Sequence, residues 1–197
     1  WERVDPSIRA LFNQNFKLEL QLDEVLFLPA DPNDSPLMLD DFEDGNLENR
    51  LFGHWSAAPP SAWGYRDLTT GGSEERALRY VTSTRPGTAN YVQVQYTPGR
   101  YFDLSRYEAL RFRYRGKGFL KFHSLQPSVT DWDHYVTPPL RLSPEWQTLT
   151  VHFSDLSQAG WGKPQPFTAA RLSGALFELQ PAETLPRPPS GLFNGMI

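Results

Sequence analysis

Apolar and polar residues alternate along most of this chain with the two-residue period of extended backbone. Phe16 to Leu28 begins with Leu18, Leu20 and Leu22 on one side and ends in the apolar stretch Val25-Leu26-Phe27-Leu28. Leu37 to Glu43, Ala77 to Ser83 and Tyr91 to Tyr96 read as further strands. In the last of these, Val92, Val94 and Tyr96 share one face, and Tyr91, Gln93 and Gln95 the other. Ala109 to Arg115 sends Leu110, Phe112 and Tyr114 inward and Arg111, Arg113 and Arg115 outward. Gly116-Lys117-Gly118 reads as a turn, after which Leu120 and Phe122 point inward and Lys121 and His123 outward. Gln147 to Phe153 places Leu149, Val151 and Phe153 inward; Leu172 to Leu179 is another strand, and Ser190 to Ile197 opens one more. Only residues 5–12 read as helical, with Asp5 as N-cap and Pro6 at the first helical position. About nine or ten short strands at this spacing predict an all-β chain, an antiparallel β-sandwich with one polar face on each sheet.

The 14 Gly and 18 Pro sit between these segments. Pro29 to Pro36 is linker-like, and Pro181 to Ser190, with four prolines, must be a loop. A length of 197 residues suits one domain, divided here into an N-terminal extension, 1–36, and a main domain, 37–197. The chain begins at Trp1 with no signal-peptide pattern and reads as a piece of something larger. A net charge of −4 argues against a nucleic-acid partner. No apolar run approaches the ~20 residues of a helical membrane span, so no membrane partner is expected. The absence of Cys removes disulfides and thiolate chemistry.

Several stretches resemble the galactose-binding-like jelly-roll modules, which include family 11 carbohydrate-binding modules and the complex I intermediate-associated proteins. Leu37-Met38-Leu39-Asp40-Asp41-Phe42-Glu43-Asp44-Gly45-Asn46 is similar to their opening strand. Phe102-Asp103-Leu104-Ser105-Arg106-Tyr107 through Phe112, with Arg115-Gly116-Lys117-Gly118, is similar to a second motif. Pro144-Glu145-Trp146-Gln147 through Phe153-Ser154-Asp155-Leu156, followed by Gly160-Trp161-Gly162, is similar to a third. The resemblance covers residues 37 to about 180. Family modules close with an acidic-pair strand beside the opening strand, which the C-terminal residues lack, whereas Leu22-Asp23-Glu24-Val25 is of that type. Residues 1–28 are then either the tail of a preceding module or the missing strand of this one.

Sugar binding requires aromatic faces for C–H-rich rings and planar polar groups for hydroxyls. The polar, aromatic segment Asp131-Trp132-Asp133-His134-Tyr135 suits that need. The resemblance places an acidic residue and a His of the matching strand in a glucan cleft, which selects Asp131 and His134, with Trp132 and Tyr135 beside them. Outward Arg113, Lys121, His123, Tyr91 and Gln93 are further candidates; Trp146 and Trp161, inside family motifs, read as structural. Related modules often hold structural Ca²⁺ between the opening and closing strands, and the resemblance carries that role to Glu43 and Asp41, and to Asp23 if the N-terminal strand is the closing one. Asp41 and Glu43 share a strand face at i, i+2.

Nothing marks a catalytic apparatus: Asp131 and Asp133 are the nearest carboxylate pair, and no nucleophile elbow, zinc motif or phosphate loop occurs. The resemblance therefore implies a non-catalytic module of a secreted or surface-attached bacterial protein, holding a polysaccharide for an attached catalytic domain. A protein-interaction jelly roll like the assembly factors is the alternative.

Overall fold

A computed structural model of the chain describes residues 17–58, 64–70, 76–83, 90–95 and 100–181. The expected helix at 5–12 and strand at 190–197 lie outside these residues, as does the Pro181 to Ser190 loop beyond its first residue. Apart from two short 3-10 turns, at Phe153–Asp155 and Ala169–Arg171, the regular structure of the described residues is all strand, arranged as two antiparallel sheets. The first contains β1 (Lys17–Pro29), β2 (Leu37–Asp40), β4 (Gly64–Thr70), β5 (Arg76–Ser83), β7 (Tyr107–Lys117) and β11 (Gln147–His152), in the order β11-β7-β1-β5-β4, with β2 also on β1. The second contains β3 (Trp55–Ala58), β6 (Asn90–Gln95), β8 (Phe119–Leu125), β9 (Tyr135–Val136), β10 (Leu140–Arg141) and β12 (Gly174–Gln180), in the order β10-β8-β12-β6-β3, with β9 also on β8.

The expected face assignments hold where side chains are described. Leu110, Phe112 and Tyr114 are buried, as are Leu120 and Phe122, while the arginines between the first three stay outside. Inside, Phe112 of one sheet meets Phe177 of the other edge-on, with centroids 5.2 Å apart. Phe122 and Trp55 close on Phe177 at 5.5 and 6.0 Å. The Trp55 indole N–H donates to Asp40 Oδ2 at 2.6 Å, tying β3 to the end of β2 across the sandwich. Burial raises the Asp40 carboxyl to about 6, against the hydrogen bonds from the Phe42 N–H and Trp55.

Two expectations change. Gly116-Lys117-Gly118 is not a hairpin turn, because β7 and β8 belong to different sheets and the chain crosses between them at Gly118. Gly116 and Gly118 both have positive φ, and a Cβ would fall 1.9 Å from Glu19 O at the first and 2.9 Å from Gln180 O at the second. Only glycine permits so close an approach at this corner. The opening strand also ends at Asp40 rather than Glu43, since Phe42 turns into the left-handed region (φ 62) to bury its ring on Trp55.

β1 sits in the middle of its sheet. Residues Glu19 to Pro29 pair with β7 along one edge, and Lys17 to Leu22 with β5 and Val25 to Phe27 with β2 along the other. Leu20, Leu22 and Val25 are fully buried. Removing residues 1–34 should therefore abolish the cooperative urea transition, and Leu22→Ala in the full chain should lower unfolding free energy by about 2–5 kcal/mol. A truncated chain unfolding at the full-length midpoint would contradict this placement.

Candidate functional site

Beyond β8 the chain forms a loop over 126–134 that packs against a second loop over 157–168. Asp133, only 2% exposed, joins them. Its Oδ1 accepts from the Ala159 N–H, and its Oδ2 from the Gly160 and Gly162 N–H groups, each at 3.0 Å. Asp131 adds the next bond, accepting from Lys163 N–H at 2.6 Å through Oδ2 and from Asp133 N–H at 3.2 Å through Oδ1. Backbone donors buried without partners cost about 1–3 kcal/mol each, so these carboxylates hold the middle of a loop that meets a strand only at Ser157. The hydrogen bond from Lys163 N–H, then that from Asp133, keeps the Asp131 carboxyl below its ordinary value. Gln158 bridges Asp133 O and Gln165 N–H, and the Tyr135 hydroxyl donates to Gln165 O at 2.7 Å. Asp131 and Tyr135 thus have structural work in the loop.

Trp132 stands between the two clamp carboxylates with φ 68 and 71% exposure. Trp161, expected to be structural, is 57% exposed. The edge of the Trp132 ring meets His134, with centroids 6.0 Å apart. His134 is half-buried and its Nδ1 lies buried without a hydrogen-bond partner. Burial first, then the charge of His123, lowers its pKa to about 4 against the opposing pull of Asp131 and Asp133. It is a neutral ring at neutral pH.

The outer face of the second sheet begins next to this loop. On β12, Ala175, Phe177 and Leu179 enter the core, so Leu176 and Glu178 lie on the other face, where Leu176 is covered and Glu178 half-buried. The register aligns Lys121, Glu178 and Tyr91 in one row across β8, β12 and β6, and His123, Leu176, Gln93 and Ser56 in the next. His123 Nε2 lies 2.9 Å from Glu178 Oε2, and Gln180 donates to Glu178 Oε1 at 3.0 Å. Burial works to raise the Glu178 carboxyl, but the hydrogen bond and charge of His123, with Gln180 and Lys121, hold it below its ordinary value.

Arg113 does not join this face. It lies on the other sheet, 3.4 Å from the fully buried Asp23 and 3.8 Å from Glu24, and stacks with Arg115 over Trp146. The three carboxylates proposed for calcium are also apart in their bonding. Asp23 pairs with Arg113, Asp41 with Arg50 at 3.0 Å, and Glu43 accepts the Arg76 N–H. Among the described residues no group of three or more His, Asp or Glu could hold a metal ion.

Glu178 and Trp161 lie in the candidate site although the sequence did not place them there. Gly160-Trp161-Gly162 did carry a signal, since flanking glycines strip the loop of side chains that would cover the ring.

No family model matches the chain and no solved structure matches it. It is similar to Endoglucanase 3 of Fibrobacter succinogenes, 27% identical over 184 residues. The match covers 77% of this chain and 26% of that protein, so the chain spans about a quarter of its relative. The chain is therefore related to part of a carbohydrate-active enzyme, and its likeness to family 11 modules rests on the motifs quoted above.

Two consequences are measurable. Asp133→Ala should lower unfolding free energy by at least about 1–3 kcal/mol, because it orphans backbone donors; an unchanged urea midpoint would contradict the clamp. His134 has a folded pKa near 4, below its unfolded value near 6.5. The unfolded chain therefore takes up this proton first, and the stability His134 preserves at neutral pH is lost as pH falls from about 6.5 towards about 4. His134→Gln should lose less melting temperature than the wild type between pH 7 and pH 4.5, in parallel scans.

Proposed function

We propose that this chain is a non-catalytic carbohydrate-binding module that holds a glucan chain along the outer face of the β10-β8-β12-β6-β3 sheet. The observation that carries the reading is the pair of rows across that sheet. They set the half-buried Tyr91 ring among an ammonium, a carboxylate, an imidazole and an amide, from Lys121, Glu178, His123 and Gln93. A sugar ring offers C–H faces to the first kind of group and paired hydroxyls to the second. His134 and Trp132 stand at the end of this face, close enough for the charge of His123 to act on His134.

Similarity to part of an endoglucanase supports the substrate class. A module of this kind serves a catalytic domain in the same parent chain by raising local substrate concentration. Because a polysaccharide does not cross a membrane, such a protein works outside the cell or at its surface, and the relative is bacterial. The large hydrophobic side chains exposed among the described residues, Tyr101, Trp132 and Trp161, are all aromatic, which favours sugar over an aliphatic protein interface.

Titration calorimetry with soluble mixed-linkage β-glucan should give a dissociation constant in the range of about 1 μM to 1 mM, the span expected of a wet, solvent-exposed groove. Tyr91→Ala and His123→Ala should each weaken it severalfold. No saturable heat with any soluble glucan would refute the reading.

A further inference from the structure

We infer that Trp132 and Trp161 together form a preset two-ring platform that stacks on sugar residues of a polymeric glucan beyond the sheet face. The inference rests on the glucan reading above and extends it to chain length.

Tryptophan is usually largely buried, yet these two are 71% and 57% exposed. Both stand on backbone that is fixed rather than loose. Trp132 lies between Asp131 and Asp133, whose carboxylates take five backbone N–H donors between them, four of them from residues 159–163. Trp161 lies between two of those donors, Gly160 and Gly162. The two segments touch, since a Cβ at Gly162 would fall 2.5 Å from Asp133 Cβ and 2.6 Å from Asp131 Oδ2.

Trp132 also holds a backbone conformation that a bulky side chain rarely adopts, with φ 68. The clamp on either side maintains it, and its result is an exposed ring steadied by the edge of His134. Rings held at a preset spacing bind without the ordering cost of mobile loops.

The chemistry selects the occupant. Asp131 and Asp133 direct their oxygens at backbone donors rather than outward, so the rings offer flat apolar faces with little local charge. A β-linked glucan presents C–H faces on successive residues, which such rings match. Short oligosaccharides seated on the sheet face would not reach the platform, whereas longer ones would.

Calorimetry of the 197-residue chain with cellotriose and cellohexaose tests this, together with depletion onto insoluble cellulose. Trp132→Ala and Trp161→Ala should each weaken cellohexaose binding by roughly five- to tenfold, while Trp161→Phe keeps a ring and loses less. For Trp161→Ala, cellotriose affinity and melting temperature should stay at wild-type values. Wild-type cellohexaose affinity in both alanine variants, with His123→Ala still weakened, overturns the platform and leaves the sheet-face reading standing. Sedimentation velocity supplies the other adverse outcome: substitutions that change self-association of the sugar-free chain, and not sugar affinity, would make the rings a contact between copies. Absence of glucan binding by the wild type would overturn both readings at once.

Discussion

The carboxylate of Asp133, buried between two loops and accepting three backbone N–H groups, is the contact on which the rest of the candidate site depends. Those loops run past the end of β8, and apart from the bridge of Ser157 to Val136 no strand pairing satisfies their donors. A buried charge is tolerable only where hydrogen bonds replace its water, and here the backbone supplies them. The same bonds tie the backbone on either side of Trp161 to the residues on either side of Trp132. Loop rigidity and ring exposure are two outcomes of one electrostatic arrangement.

The sandwich supplies the other half of the site. β12 is buried on its core side by Ala175, Phe177 and Leu179, which turns Glu178 and Leu176 to the other face between β8 and β6. Strand register then sets His123 against Leu176 and Lys121 against Glu178. The opposite sheet uses its outer polar groups differently. Glu19, Gln21 and Asp23 of β1 meet Arg79, Arg115 and Arg113, a lattice of neighbouring opposite charges and amides that stabilises strand pairing.

Period-two alternation made the sandwich and the core faces of β7 and β8 legible, because a half-buried strand leaves that pattern in its own residues. Pairing partners are written elsewhere. Nothing within Lys17–Pro29 states that β5 and β7 flank it. Trp55–Ala58 and Tyr135–Val136 were too short to show a period. In the site, the polar aromatic segment at 131–135 stood out, and Trp132 and His134 lie where a ligand could reach or neighbour them. The role of Asp131 as a clamp depends on residue 163, and the separation of Arg113 from Tyr91 and His123 depends on which sheet each strand joins. Both are long-range facts. The motif position of Trp161 suggests a structural role, whereas its two flanking glycines point to the exposure that the structure shows.

Resonance-by-resonance titration of the chain with cellohexaose, followed by ¹H–¹⁵N NMR, tests the central claim most directly. Indole N–H signals separate the tryptophans by place: Trp132 and Trp161 on the loops, Trp146 under two arginines on the far sheet, and Trp55 in the core. The account predicts saturable shifts of the Trp132 and Trp161 indoles and of backbone amides at Tyr91, His123 and Glu178, with Trp55 and Trp146 unmoved. Shifts centred on Trp146 and Arg113, or none that saturate, would contradict it.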